Sequence, residues 1–120
     1  MGECRDLIAY QKAFKLAMEI FELTKQFPYE EKHGLSSQIR RSARSVCANI
    51  AESYERRSYL KYFKAKLYDA ACENSETKVW LDFAIACKYF SQENYREMAE
   101  QNRQISMLLK FMIKNPEKFL

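Results

Sequence analysis

Apolar residues recur every three or four positions through most of the chain, the period of one face of an α-helix. Leu7, Tyr10, Phe14, Ala17, Met18 and Phe21 share a face before FPYEEKHGLSS breaks the pattern, which predicts a first helix over about 6–26. Leu35, Ile39, Ala43, Val46, Ile50 and Tyr54 form the stripe of a second, about 36–57, with Ser36 or Ser37 as N-cap behind Gly34. Ser58 is placed to cap a third helix over about 59–90, carrying Leu60, Phe63, Leu67, Ala70, Leu81 and Ile85 and interrupted by Asn74. Ser91 caps a fourth, about 92–114, with Tyr95, Met98, Ala99, Ile105, Leu109, Met112 and Ile113 in register, and Pro116 limits its continuation. Short connections between long amphipathic helices predict antiparallel neighbours, hence an all-α, up-down-up-down four-helix bundle.

Two helices carry more apolar surface than one bundle needs. Opposite the Phe63/Leu67/Leu81 line of the third helix lie Tyr68, Cys72, Val79, Phe83 and Ala86, with Trp80 on the flank. On the first, Ala9, Ala13, Leu16 and Ile20 widen the apolar arc past the roughly 100° of an ordinary surface helix. Tyr68, Cys72, Val79, Trp80 and Phe83, together with Ala13, Leu16 and Ile20, are therefore expected to form a homo-oligomer interface. The alternative is a third helix that is simply the most deeply buried of the four.

At 120 residues, with 48% apolar content, the chain is sized for one domain spanning 1–120. Only 2 Gly and 2 Pro leave little turn chemistry for a sheet. Cys4, Cys47, Cys72 and Cys87 are scattered, with His33 the single histidine, so neither a disulfide framework nor a metal site is indicated. They read as buried, reduced thiols of a cytoplasmic protein. No apolar run approaches the ~18 residues of a membrane span. Gly2 suggests a myristoylation start, but Asp6 stands where that motif needs Ser or Thr. General acid–base work needs two positioned titratable groups, and His33 stands in a loop beside Gly34 without Ser, Cys or Asp partners in sequence. The expectation is a non-enzymatic protein with no cofactor.

Three segments carry a family resemblance: DLIAYQKAFKLAMEI, FPYEEKHGLSSQIRRSARSVCANIAES and SETKVWLDFA. Their most specific piece is G-L-x-x-Q-x-R-R followed by N-I-A-E, and from Asp6 to about Ile113 the chain resembles the four-helix proteins encoded in intervening sequences of bacterial 23S ribosomal RNA genes. The resemblance implies an antiparallel bundle and a ring-shaped homopentamer with a central channel. A more distant likeness is to the accessory protein of diversity-generating retroelements, which implies a scaffold docking a reverse transcriptase. Ser53 stands where the family usually has Gly, and Cys72 and Glu73 stand where it often has Gly-Ser. Both changes bear on close helix approach.

The second helix concentrates charge. Residues 34–57 hold Arg40, Arg41, Arg44, Arg56 and Arg57 against Glu52 and Glu55, a net +3 of the chain's +4. Arg40, Arg41 and Arg44 fall roughly 100° to 200° from the Ile39 core line, which predicts an exposed basic ridge able to hold RNA phosphates. In a pentamer the total rises to +20, five times +4. The competing reading is a solvated face, or one paired with Glu19, Glu22 or Glu97. With little aromatic interleaving along this ridge, structured RNA is expected rather than single strands. The other edge of the helix aligns Ser45, Asn49, Glu52 and Arg56, and Asn49, Glu52 and Asn74 are expected to form a structural polar network.

Overall fold

The computed structural model describes residues 3–120. Gly2, discounted above as a myristoylation start, lies outside them. Among the described residues there are four α-helices and no strand: α1 (Ile8–Thr24), α2 (Leu35–Glu55), α3 (Leu60–Ala86) and α4 (Gln92–Lys114). Single 3-10 turns occupy Cys4–Asp6, Tyr29–Glu31 and Pro116–Lys118. Both α1 and α3 pack against α2 and α4, so α1 and α3 stand at opposite corners of the cross-section. The 27 residues of α3, at about 1.5 Å each, account for most of the 44 Å length of a body 25 and 21 Å across. No helix among the described residues is long and apolar enough to cross a membrane.

The α2 stripe of Leu35, Ile39, Ala43, Val46, Ile50 and Tyr54 is buried throughout. It meets Phe63, Leu67, Ala70 and Leu81 of α3 and Met98, Ile105, Leu109 and Met112 of α4 in one core. Leu60 departs from its expected place: as the first residue of α3 it lies 47% exposed. Two polar layers interrupt the apolar packing, each internally satisfied. Thr77 Oγ1 donates to Ser42 Oγ at 2.8 Å, joining α3 to α2. Asn74 and Asn102 bind reciprocally: Asn74 Nδ2 donates to the Asn102 carbonyl at 2.9 Å, and Asn102 Nδ2 donates to the Asn74 carbonyl at 2.8 Å and its Oδ1 at 3.0 Å.

In α1 the two apolar arcs exchange roles. Its inner face is Ala9, Ala13, Leu16, Ile20 and Thr24, whereas Phe14 and Met18 of the expected core line are 51% and 45% exposed. Ala13, Leu16 and Ile20, expected at an oligomer interface, are 2%, 2% and 0% exposed within a single chain and are consumed by its core. Small side chains at 9 and 13 let α1 approach its neighbours closely, and the bulkier Phe14 would hold it away.

The helix ends also differ from expectation. Gly34, not Ser36 or Ser37, is the N-cap of α2. Glu31 reaches over from the preceding turn, its Oε1 accepting from the Leu35 N–H at 3.0 Å, while Ser36 lies inside the helix and buried. A Cβ on Gly34 would meet that oxygen at 2.9 Å, so a side chain there would make the Glu31 carboxylate shift away from its contact with the Leu35 N–H. Tyr59 rather than Ser58 precedes α3, without a side-chain cap. That helix stops at Ala86, short of residue 90, because Lys88 turns left-handed at φ 63°. The Tyr89 N–H then reaches the Ala84 carbonyl at 2.9 Å and the Lys88 N–H the Ile85 carbonyl at 2.9 Å, the bonding pattern that ends helices, usually on glycine. Ser91 does cap α4, accepting from the Asn94 N–H at 3.0 Å.

All four cysteines are free. Cys4 and Cys47 are half-buried, but Cys72 and Cys87 are exposed, against the expectation of four buried thiols. They occupy the outward face and the end of α3, where nothing in the chain covers them.

Candidate functional site

The arginines of α2 do not form a uniform ridge. Arg40 turns toward α1, where its Nε donates to Thr24 Oγ1 at 2.7 Å and its Nη2 to the Phe21 carbonyl at 3.3 Å. Its guanidinium also lies 4.8 Å from the Phe21 ring centre. It thus satisfies carbonyl and hydroxyl groups at the C-terminal end of α1, where a cation also complements the helix dipole. Arg41 turns the other way, bridging Glu73 at 3.1 Å and also Glu76, both on α3. These partners raise its pKa, the Glu73 hydrogen bond most. Two carboxylates against one guanidinium leave that place without positive excess. Arg44 is exposed, its guanidinium 5.7 Å from the Phe21 ring centre. The expected exposed row is therefore corrected in part: Arg40 is half-buried against α1, Arg41 is exposed but neutralised by Glu73 and Glu76, and Arg44 is exposed with no ion pair among the described residues.

The polar edge of α2 faces α3. Ser45 Oγ donates to Glu73 Oε2 at 3.1 Å, and Asn49 Nδ2 donates back to the Ser45 carbonyl at 2.9 Å and its hydroxyl at 3.1 Å. Glu52 binds Lys66 at 2.8 Å; the hydrogen bond from Lys66 lowers the carboxyl's pKa, and the same contact raises that of the ammonium. Asn49 and Glu52 thus belong to one α2–α3 seam. Asn74 does not join them, because it turns into the core to pair with Asn102 of α4. Sequence periodicity places Asn74 on the inner stripe but carries no signal for that partner 28 residues away.

The expected α3 surface is where the sequence puts it. Tyr68, Val79 and Phe83 are 57%, 47% and 55% exposed, and Cys72 is exposed between them. Trp80 is half-buried beside Phe83, ring centres 5.9 Å apart, with its indole N–H buried and unpaired. On the opposite corner Phe14 and Met18 of α1 form a second apolar surface. Sequence reasoning assigned Phe14 and Met18 to the core and therefore missed that surface.

At the end where α2 meets α3, Arg56 is exposed, and Arg57 lies 3.8 Å above the Tyr54 ring. The adjoining Tyr59, Lys61 and Tyr62 are exposed and Lys64 is half-exposed. None of these four was singled out from sequence, though the alternation of cations and tyrosines in RRSYLKYFK was the available signal. Among the described residues no three His, Cys, Asp or Glu side chains gather as a metal site. His33 is exposed in the loop before α2.

The model of the 23S rRNA-intervening sequence protein family matches residues 5–111. A similar solved structure is a protein of unknown function from the S23 ribosomal protein family of Bacteroides thetaiotaomicron VPI-5482. It is 33% identical over 89% of this chain and 96% of its own, with a TM-score of 0.80. No curated protein matches the sequence. Ser53, at the position where the resemblance leads one to expect glycine, is fully buried and satisfies its hydroxyl on the Ile50 carbonyl at 2.7 Å.

Proposed function

The chain belongs to the 23S rRNA-intervening sequence protein family, and from that premise we propose a non-enzymatic, cytoplasmic protein that assembles with copies of itself and presents a basic surface to RNA. In this reading neighbouring helices run antiparallel. The order of cross-helix pairs supports this, since Ser42, Ser45 and Glu52 of α2 meet Thr77, Glu73 and Lys66 of α3 in descending sequence.

The observation that carries the assembly is the pair of exposed apolar surfaces at opposite corners, Phe14 and Met18 on α1 and Tyr68, Val79 and Phe83 on α3. Surfaces on opposite sides of one molecule join head to tail, and such contacts close into rings when the rotation permits. Five copies is the number implied by the family resemblance. Val79→Glu/Phe83→Glu is the test: sedimentation should report a fall to monomer with helix content unchanged, because two carboxylates would be buried without partners. An unaltered mass overturns the assembly.

RNA binding is supported by the outward cations Arg44 and Arg56 and by the net +4 charge, multiplied in any ring. Anisotropy of a labelled RNA at two salt concentrations tests it, because phosphate contacts weaken steeply with salt. Binding indifferent to salt, or none, leaves the surface to a protein partner such as a docked enzyme.

A further inference from the structure

The positive excess of the chain sits at one end of the molecule. Residues 54–66, YERRSYLKYFKAK, hold five cations against one carboxylate, a net +4 equal to that of the whole chain. Lys66 is paired with Glu52. Among the described residues Arg56, Arg57, Lys61 and Lys64 form no ion pair. A merely solvated face would intersperse carboxylates to relieve that repulsion, as the α2–α3 seam does at Glu73 and Glu76.

The same end exposes aromatic rings. Tyr59 and Tyr62 are 63% and 57% exposed, and they meet edge to face at 6.3 Å and 75° rather than stacking. Ring surface therefore remains open beside cations. The α3 N-terminus adds unpaired N–H groups, having neither a side-chain cap nor an acid in its first turn. Cations track phosphates, and flat rings accept the faces of bases that are not already stacked in a duplex. An acidic protein segment would use the cations but not the rings. A membrane surface needs more apolar depth than Leu60, the one large aliphatic side chain exposed in this segment.

We propose that this end binds single-stranded RNA, with bases stacking on Tyr59 and Tyr62 and phosphates held by Arg56, Arg57, Lys61 and Lys64. The assignment rests on the RNA reading above and gives it a place and a mode. In an assembled ring each copy contributes one such platform.

Anisotropy on the assembled protein tests the assignment with three probes: a labelled oligouridine, an RNA duplex of equal length, and vesicles of phosphatidylcholine with phosphatidylserine. Oligouridine should bind tightest. Tyr59→Ala and Tyr62→Ala should each weaken it about tenfold, with helix content and mass unchanged, and the Phe variants should retain affinity. Arg56→Ala or Lys61→Ala should each lower the salt slope by about 0.7. Salt-sensitive RNA binding that ignores both tyrosines, or that favours the duplex, overturns the stacking platform and leaves the RNA reading standing. No RNA binding, or binding to vesicles alone, overturns both.

Discussion

Asn74 and Asn102 are the residues whose chemistry is most committed by the fold. Each amide is buried, and each depends on the other for its hydrogen bonds. Replacing one by leucine leaves a half-satisfied amide in the core, a loss of about 1–3 kcal/mol, whereas replacing both removes the stranded groups together. Urea denaturation of both single variants and the double should show the double costing less than the sum; additive losses would show that the pair is not a unit. Cys47 gives a second expectation at this scale. Burial first, and the neighbouring Cys4 thiol second, push its pKa from 9.0 up to about 11. The raised value means the fold disfavours the thiolate, so this contribution is intact below pH 9 and is lost as pH rises through about 11. Between those values a Cys47→Ala variant should lose less stability than the parent, read from urea midpoints. Parallel curves would remove Cys47 as the responsible group.

Single side chains also decide how the helices end and where they attach. Arg40 acts at the C-terminal end of α1 through Thr24 and Phe21. Arg40→Ala should therefore destabilise the protein by about 1.5–3 kcal/mol, the value of hydrogen bonds to a charged group, while leaving oligouridine affinity intact. Lost affinity at unchanged stability would return Arg40 to the RNA surface. At the end of α3, Lys88 holds a left-handed conformation that costs an L-residue about 1–2 kcal/mol. Lys88→Gly relieves that cost but gains unfolded-state freedom worth about 0.5–1 kcal/mol, for a net stabilisation of roughly 0.5 kcal/mol measurable as a higher urea midpoint. The existence of these elements was legible, because the α2 and α4 stripes alternate cleanly between apolar and polar arcs. The orientation of α1 was not. Both its arcs are apolar, and hydrophobicity favours Phe14 and Met18 over Ala9 and Ala13, whereas close helix approach favours the alanines.

For the whole molecule, the opposite placement of α1 and α3 makes the proposed contact heterologous, and that has a distinctive signature. A Phe14→Glu variant keeps its α3 surface, and a Phe83→Glu variant keeps its α1 surface. Each alone should sediment as a monomer, and the two mixed should form a one-to-one dimer through the single intact pair of faces. Mixing without a change in mass would exclude pairing of α1 with α3. Tyr59 and Tyr62 belong to neither apolar corner, so assembly and RNA contact should separate genetically: Tyr59 and Tyr62 variants should assemble, and only their binding to RNA should change.

The sequence by itself determined the helices, their inner stripes on α2 and α4, the outward apolar stripe of α3, the Ser91 cap and the family. All of these follow from period, local capping and motif, which depend on residues near one another in the chain. Tertiary structure alone decided which arc of α1 faces inward, that Arg40 turns against α1 and Arg41 is neutralised by carboxylates of α3, and that Asn74 pairs with Asn102. It also revealed open tyrosine faces beside unpaired cations at the α2–α3 end. Those outcomes depend on how closely the helices approach and on partners distant in sequence, and a helical wheel drawn for one helix contains neither.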